Sequence, residues 1–124
     1  MDIVQSSRAA TRDLVTGLAE EREVDLHRER LARELGREVS HEVALEDWLQ
    51  HHAATWRRRY QDLAVRLQRE EMMRHKWLVS EREGRDIGSA AILEWVDLYA
   101  EEWRNWFDRE YHRLAAQHNS TDAN

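Results

Sequence analysis

Several acidic residues stand four residues before a histidine, a spacing that places both side chains on one face of a helix. Such pairs include Glu23/His27, Glu71/His75 and Asp108/His112. A carboxylate and an imidazole at this spacing can bind a metal ion or relay a proton. The paired Glu-x-x-His motifs of dimetal helical bundles are absent. Because a helical chain with 25 acidic residues and seven histidines forms such pairs by chance, we predict no metal site and no cofactor.

Two further groups of polar residues carry alternative hypotheses. His51 and His52 are adjacent, and neighbouring side chains of a continuous helix diverge by about 100°, so they do not predict a shared ligand set. Glu71, His75, Glu81 and Asp86 lie close together in the sequence. They support the alternative of a small helical enzyme or a bundle that binds a cofactor or metal.

A second alternative, a nucleic-acid-binding regulator, depends on one basic cluster. Arg57, Arg58 and Arg59 follow Trp56 and precede Tyr60, and cationic and aromatic side chains together can bind phosphates and bases. The chain nevertheless carries a formal net charge of −6, which opposes contact with a phosphate backbone. Nucleic acid is therefore an unlikely partner by charge.

The elements that must position these residues are predicted to be helices. The 124 residues include no proline and only four glycines, which favours long helices joined by few turns. The absence of cysteine excludes disulfides and thiolate metal sites. Apolar residues recur at spacings of three and four, as in amphipathic helices. We predict an all-α fold, either an elongated helical hairpin or a small bundle of three to four helices.

The domain organisation is predicted to be one helical domain over residues 1–118. Residues 6–36 form a thinly apolar N-terminal helix whose middle is too charged for deep burial, residues 41–117 form a helical hairpin, and residues 119–124 are a disordered tail. We expect the first hairpin helix either to bend near residues 51–55 or to remain continuous and give an elongated molecule.

The turns are predicted from residues that end or begin helices. Gly36 ends the first helix and Ser40 caps the next. The hairpin corner spans residues 84–89, where Gly84 closes one helix in the left-handed conformation and Asp86, Gly88 or Ser89 caps the next. Trp77 flanks this corner, and Trp77 is expected in the core.

The six tryptophans suggest a surface that binds protein, because tryptophan is enriched at interface hot spots. On the last helix, Val96, Tyr99 and Trp103 are expected in the core. Residues outside that stripe, or on the thinly apolar N-terminal helix, are predicted to bind a partner. They are Trp95, Trp106, Phe107, Leu14 and Leu18.

One pattern of residues surrounds the predicted corner. It comprises His75-Lys76-Trp77, Ser80-Glu81, Gly84, Asp86-Ile87-Gly88, Ala91 and Trp95. This pattern resembles a motif of small bacterial proteins of unknown function. The resemblance implies a bacterial, cytoplasmic protein with a recurring helical corner, and it carries no activity, cofactor or catalytic residue.

Together these observations predict a non-catalytic helical subunit that binds or assembles with another bacterial protein, or with itself. No apolar run is long enough to cross a membrane, and no secretion signal is apparent at the N-terminus. We therefore expect a cytoplasmic location and no membrane partner.

Overall fold

A computed structural model describes residues 14–122 of the chain, and the side chains of residues 14–119. Four helices and no strand occur within this part, 87% of which is helical. The all-α prediction is confirmed. The helices are α1 (Leu18–Leu35), α2 (His41–His51), α3 (Ala53–Glu83) and α4 (Ser89–Asp122). Residues 6–13 of the predicted N-terminal helix, and residues 123–124 of the predicted tail, lie outside the described range.

The start of α1 differs from the sequence prediction. Residues 15–17 are not helical, so no continuous helix joins Leu14 to Leu18. Gly17 adopts φ 149°, a conformation that a side chain disfavours. The backbone N–H of Thr16 donates to the Glu20 carboxylate over 2.8 Å. These two features set the beginning of α1 at Leu18.

The first hairpin helix is interrupted at His52, within the segment where the sequence left a bend or a continuous helix open. His52 has φ −130° and separates α2 from α3. The hydrogen bonds from His52 N to Trp48 O and from Trp56 N to His52 O persist, at 2.9 and 3.0 Å. The interruption needs neither proline nor glycine. The interruption sets the direction in which the His52 side chain leaves the backbone.

The described part of the chain divides into two compact units, residues 14–58 and 59–122. In the first unit, α1 packs on α2, and the chain between them turns at Gly36 (φ 66°) before Ser40 caps α2 by accepting from Val43 N. The apolar core of this unit includes Val24 and Trp48, which are buried. The middle of α1 is thus buried, contrary to the prediction. The single-domain prediction is not tested by this division.

The second unit is an antiparallel hairpin of α3 and α4. Tyr60 near one end of α3 contacts Phe107 and Tyr111 of α4, whereas His75 further along contacts Tyr99. At the corner, Gly84 and Gly88 have φ 71° and 67°. Ser80 Oγ accepts from Ile87 N, and Asp86 Oδ1 accepts from Gly88 N over 2.9 Å.

The packing of the hairpin corrects several assignments of core and surface. Trp95 and Phe107, expected outside the core, are only 4% and 1% exposed, whereas Val96 and Tyr99, expected inside, are 43% and 45% exposed. Trp77 is 61% exposed rather than buried. The reason is that the face of α4 that packs against the interior differs from the face that the sequence predicted. Its buried residues are Ala91, Trp95, Ala100, Phe107, Tyr111 and Leu114.

The end of α4 also differs from the prediction. The helix continues to Asp122 instead of ending near Gln117. Residues 119–122 of the predicted disordered tail are therefore helical.

Candidate functional site

Three histidines surround one carboxylate in the first unit. We call His27, Asp47, His51 and His52 the histidine cluster. His27 Nε2 donates to Asp47 Oδ2 over 2.7 Å, and His52 Nε2 lies 3.6 Å from the same oxygen. His51 Nε2 lies 3.8 Å from Asp47 Oδ1. The atoms of His27, Asp47 and His52 that could bind a metal all lie within 4.8 Å of one another.

Three different elements supply this cluster. His27 is buried in the middle of α1, Asp47 lies on α2, and His52 lies at the interruption between α2 and α3. The α1–α2 turn is held by Arg28, whose Nε donates to Val39 O over 2.6 Å. A histidine from one helix therefore meets an aspartate from the next through tertiary packing and not through the four-residue spacing that the sequence offered.

The electrostatics of the cluster favour an ionised Asp47. The hydrogen bond from His27 lowers the pKa of this carboxyl below its usual value, and the nearby rings of His51 and His52 act in the same direction. Partial burial opposes the shift but does not outweigh it. The ionised Asp47 carboxylate therefore faces two exposed histidines, His51 and His52, in addition to the buried His27.

A second polar group lies deeper in the same unit. Glu20 is fully buried, and its carboxylate accepts from Trp48 Nε1 over 2.8 Å and from Arg57 Nε over 3.0 Å. Thr16 adds its backbone N–H and its hydroxyl. We call Glu20, Thr16, Trp48 and Arg57 the Glu20 network. All four donor groups of this network are directed at the Glu20 carboxylate. A buried carboxylate needs such hydrogen bonds because it is removed from water.

Trp48 connects the Glu20 network to the histidine cluster. Its indole N–H is fixed by Glu20, while its ring stacks on His52 with centroids 5.9 Å apart and an interplanar angle of 27°. The ring of His27 lies 5.9 Å from the Trp48 ring and 4.5 Å from His52. The buried Glu20 carboxylate therefore fixes the Trp48 ring, and His27 and His52 pack against that ring.

The polar residues around His75 are not brought together in this way. Glu71 accepts from Arg74, and Asp86 is used in the corner. His75 Nε2 lies 3.3 Å from Glu94 Oε1 without the geometry of a hydrogen bond. Among the described residues, the set that could hold a metal ion is the one around Asp47.

The basic cluster is also partly used within the protein. Arg57 belongs to the Glu20 network and donates through Nη2 to Leu14 O over 2.7 Å. Arg58 and Arg59 are exposed. The cluster therefore offers two exposed guanidinium groups, not three.

Of the residues predicted to bind protein, three are accessible. Leu14, Leu18 and Trp106 are exposed by 49%, 60% and 38%, whereas Trp95 and Phe107 are buried within this chain. The structure adds Trp77, which lines an open groove at the corner. Neighbouring residues of this groove are Met73, Lys76, Glu81 and Arg85.

Sequence reasoning missed the histidine cluster and the Glu20 network for the same reason. Glu20 lies 28 residues from Trp48 and 37 from Arg57, so no local spacing joins them. One signal was available: Gly17 interrupts the helical pattern three residues before Glu20, and such a break allows a side chain to turn inward. His51 and His52 were set aside on the assumption of a continuous helix, which the break at His52 invalidates.

Comparison with known proteins gives no relative from which a role could be carried over. No family model, curated protein or solved structure matches this chain. Within the described residues, no helix is both long and apolar enough to cross a membrane.

Proposed function

We propose that the protein is a non-catalytic helical assembly subunit that associates with a second copy of itself through its α3–α4 hairpin. The observation that supports this proposal is the number of large apolar side chains left exposed on two helices. These residues are Val65, Met73, Trp77, Leu78, Leu93, Val96, Leu98, Tyr99 and Trp106.

A two-helix hairpin has a single internal interface, so only one stripe of each helix is buried by folding. Exposed apolar residues that occur singly are ordinary on a protein surface. Here, however, Trp77, Tyr99 and Trp106 are among those exposed, and large rings are the side chains that most often anchor protein interfaces. A partner that packs on the hairpin would bury them.

The charges of the two helices favour a second copy as that partner. Within the second unit, residues 59–83 of α3 include six basic and five acidic residues, whereas α4 carries three basic and seven acidic residues. When two antiparallel hairpins pair about a two-fold axis, α3 of one copy can lie beside α4 of the other. Opposite net charges then face each other, which favours association and sets its register.

The test is the oligomeric state of the purified full chain over a range of concentrations, measured by sedimentation equilibrium. We expect a dimer whose dissociation constant rises on the order of thirtyfold in Trp106→Ala, as loss of about 2 kcal/mol from an aromatic anchor requires. Leu35→Ala is the matched control, because Leu35 is exposed to a similar degree but lies on α1. It should leave the dissociation constant unchanged.

Two results would contradict the proposal. A monomer at every concentration up to the solubility limit would exclude self-association and leave a different protein as the partner. A dimer that both alanine variants weaken equally would place the interface away from the hairpin. Far-UV circular dichroism of each variant, recorded in parallel, separates loss of association from loss of helix.

A further inference from the structure

We propose that His27, Asp47 and His52 form a binding site for a divalent transition-metal ion of the zinc type. This site lies in the first unit and is independent of the assembly function proposed for the hairpin. Two imidazole nitrogens and one carboxylate oxygen form a ligand set that zinc and its neighbours in the first transition series accept.

Both separations between a histidine nitrogen and Asp47 Oδ2 fit a shared ion, one of them after a small adjustment, and all three ligand atoms lie within 4.8 Å of one another. Zinc–ligand bonds of about 2.0–2.2 Å in tetrahedral geometry place neighbouring ligand atoms roughly 3.3–3.6 Å apart. His52 Nε2 is 3.6 Å from Asp47 Oδ2, which already matches. His27 Nε2 is 2.7 Å from the same oxygen, a hydrogen-bond distance. This pair must open by about 0.6–0.9 Å when a metal ion replaces the shared proton.

The surroundings hold the ligands in place but leave one side open. His27 is buried, and Trp48 packs on the rings of both His27 and His52. The side chains of His52 and Asp47 are 46% and 34% exposed, so a metal ion can reach them from solvent. Three protein ligands and an accessible fourth position are the arrangement of zinc sites that retain a water molecule.

One neighbour opposes metal binding and therefore offers a sharp test. Arg30 Nη2 lies 3.4 Å from His27 Nδ1. A histidine that binds a metal through Nε2 carries its proton on Nδ1 and needs an acceptor there, which a guanidinium cannot supply. Arg30 is exposed and must move away when the ion binds. Replacement of Arg30 by glutamate supplies the acceptor instead.

The experiment measures binding of Zn²⁺ alone to the full chain, without an affinity tag, by competition with a chromogenic chelator. We expect one ion per chain with a dissociation constant below about 100 µM. His52→Gln should weaken binding at least about tenfold and Arg30→Glu should strengthen it. His51→Gln is the matched control, since His51 lies 3.8 Å from the other Asp47 oxygen and is not in the set.

Cobalt gives a second reading of the same site. Co²⁺ bound in a four-coordinate site should produce strong visible absorption bands that His52→Gln abolishes and His51→Gln preserves. Because His52 is half exposed, His52→Gln should keep the thermal melting temperature of the metal-free protein, so loss of binding is not loss of folding. Absence of Zn²⁺ binding, equal losses in the His51 and His52 variants, or no gain in Arg30→Glu would overturn the proposed ligand set.

Discussion

The first unit and the α3–α4 hairpin join their helices by different means. In the first unit the links between elements are polar: four donor groups meet the buried Glu20 carboxylate, and His27 of α1 meets Asp47 of α2. In the hairpin the links are rings, among them Tyr60 of α3, which packs edge-on to Phe107 of α4 with centroids 5.1 Å apart. A small helical protein can therefore fix one set of helices by directed hydrogen bonds and another by shape.

The two kinds of link fail differently. A buried carboxylate needs donors in particular directions. If the carboxylate is lost, its donors have no acceptor, and if a donor is lost, part of the buried charge is left without a hydrogen bond. A cluster of rings loses contact area and gains a cavity when it is truncated. The stability of the first unit therefore depends on which polar groups are present, and that of the hairpin depends on the volume of its buried side chains.

The largest effect is expected at Phe107, the largest fully buried side chain of the hairpin. Phe107→Ala removes contacts to Tyr60, Trp103 and Tyr111 and should lower the free energy of unfolding by about 3–5 kcal/mol. Urea unfolding followed by circular dichroism measures it. Trp106→Ala is the control on the neighbouring, exposed position. A loss in Phe107→Ala no larger than in this control would show that the rings do not support the hairpin.

The second prediction concerns the buried carboxylate. Glu20→Ala leaves the indole N–H of Trp48 and the guanidinium of Arg57 without their common acceptor and should cost about 3 kcal/mol. Glu21→Ala is the control, because Glu21 is adjacent but only partly buried. Hydrogen exchange read by mass spectrometry should locate the loss of protection in residues 18–58. Loss of protection that begins in residues 59–122 would contradict the separation between the two regions.

These two positions also mark how far the sequence could predict the structure. Helices and turns depend on local rules, so the all-α fold and the helix starts and stops at Gly36 and Ser40 could be predicted from residue type and spacing. The burial of Glu20 could not, because its partners are far away in the chain and a charged residue is exposed by default. Phe107 and Trp106 are adjacent, and nothing local decides which of the two turns inward.

The histidine cluster marks the same limit for the candidate site. The four-residue pair of Glu23 and His27 was visible in the sequence, but the close partner of His27 is Asp47 on another helix. His52 joins them because the backbone is interrupted there without proline or glycine. Because no residue type marks this interruption, the sequence left open whether the helix bends there or continues.

The third prediction tests the corner, where Gly84 closes α3 in the left-handed conformation. Gly84 has φ 71°, and a Cβ at this position would meet no neighbouring atom within 4 Å. Gly84→Val should therefore cost about 1–2 kcal/mol through backbone strain and not through a clash. Gly84→Asn is the matched control, because asparagine tolerates the left-handed conformation better. Equal melting temperatures of the two variants would contradict this account.

The smallest effect is expected at Tyr60, a ring of the hairpin that also makes a directed hydrogen bond. Its hydroxyl donates to Asp108 Oδ1 over 3.0 Å, so Tyr60→Phe keeps the ring contacts and should cost about 1 kcal/mol at pH 7. Burial, together with this hydrogen bond to a carboxylate, raises the pKa of the Tyr60 hydroxyl above its ordinary value. The folded protein therefore retains a proton that the unfolded chain releases near pH 10.

The difference in the Tyr60 pKa between the folded protein and the unfolded chain determines the direction in which stability changes with pH. The contribution of the neutral Tyr60 hydroxyl is fully present below the pKa of the unfolded chain, about 10, and is lost as the pH rises from there toward the higher pKa of the folded protein. Urea unfolding between about pH 8 and 11 should show stability falling more steeply in the wild type than in Tyr60→Phe. Tyr99→Phe, at an exposed position, should keep the wild-type slope. If all three proteins lose stability in parallel, the Tyr60 hydroxyl contributes no directed link, and the hairpin is held by the packing of its rings alone.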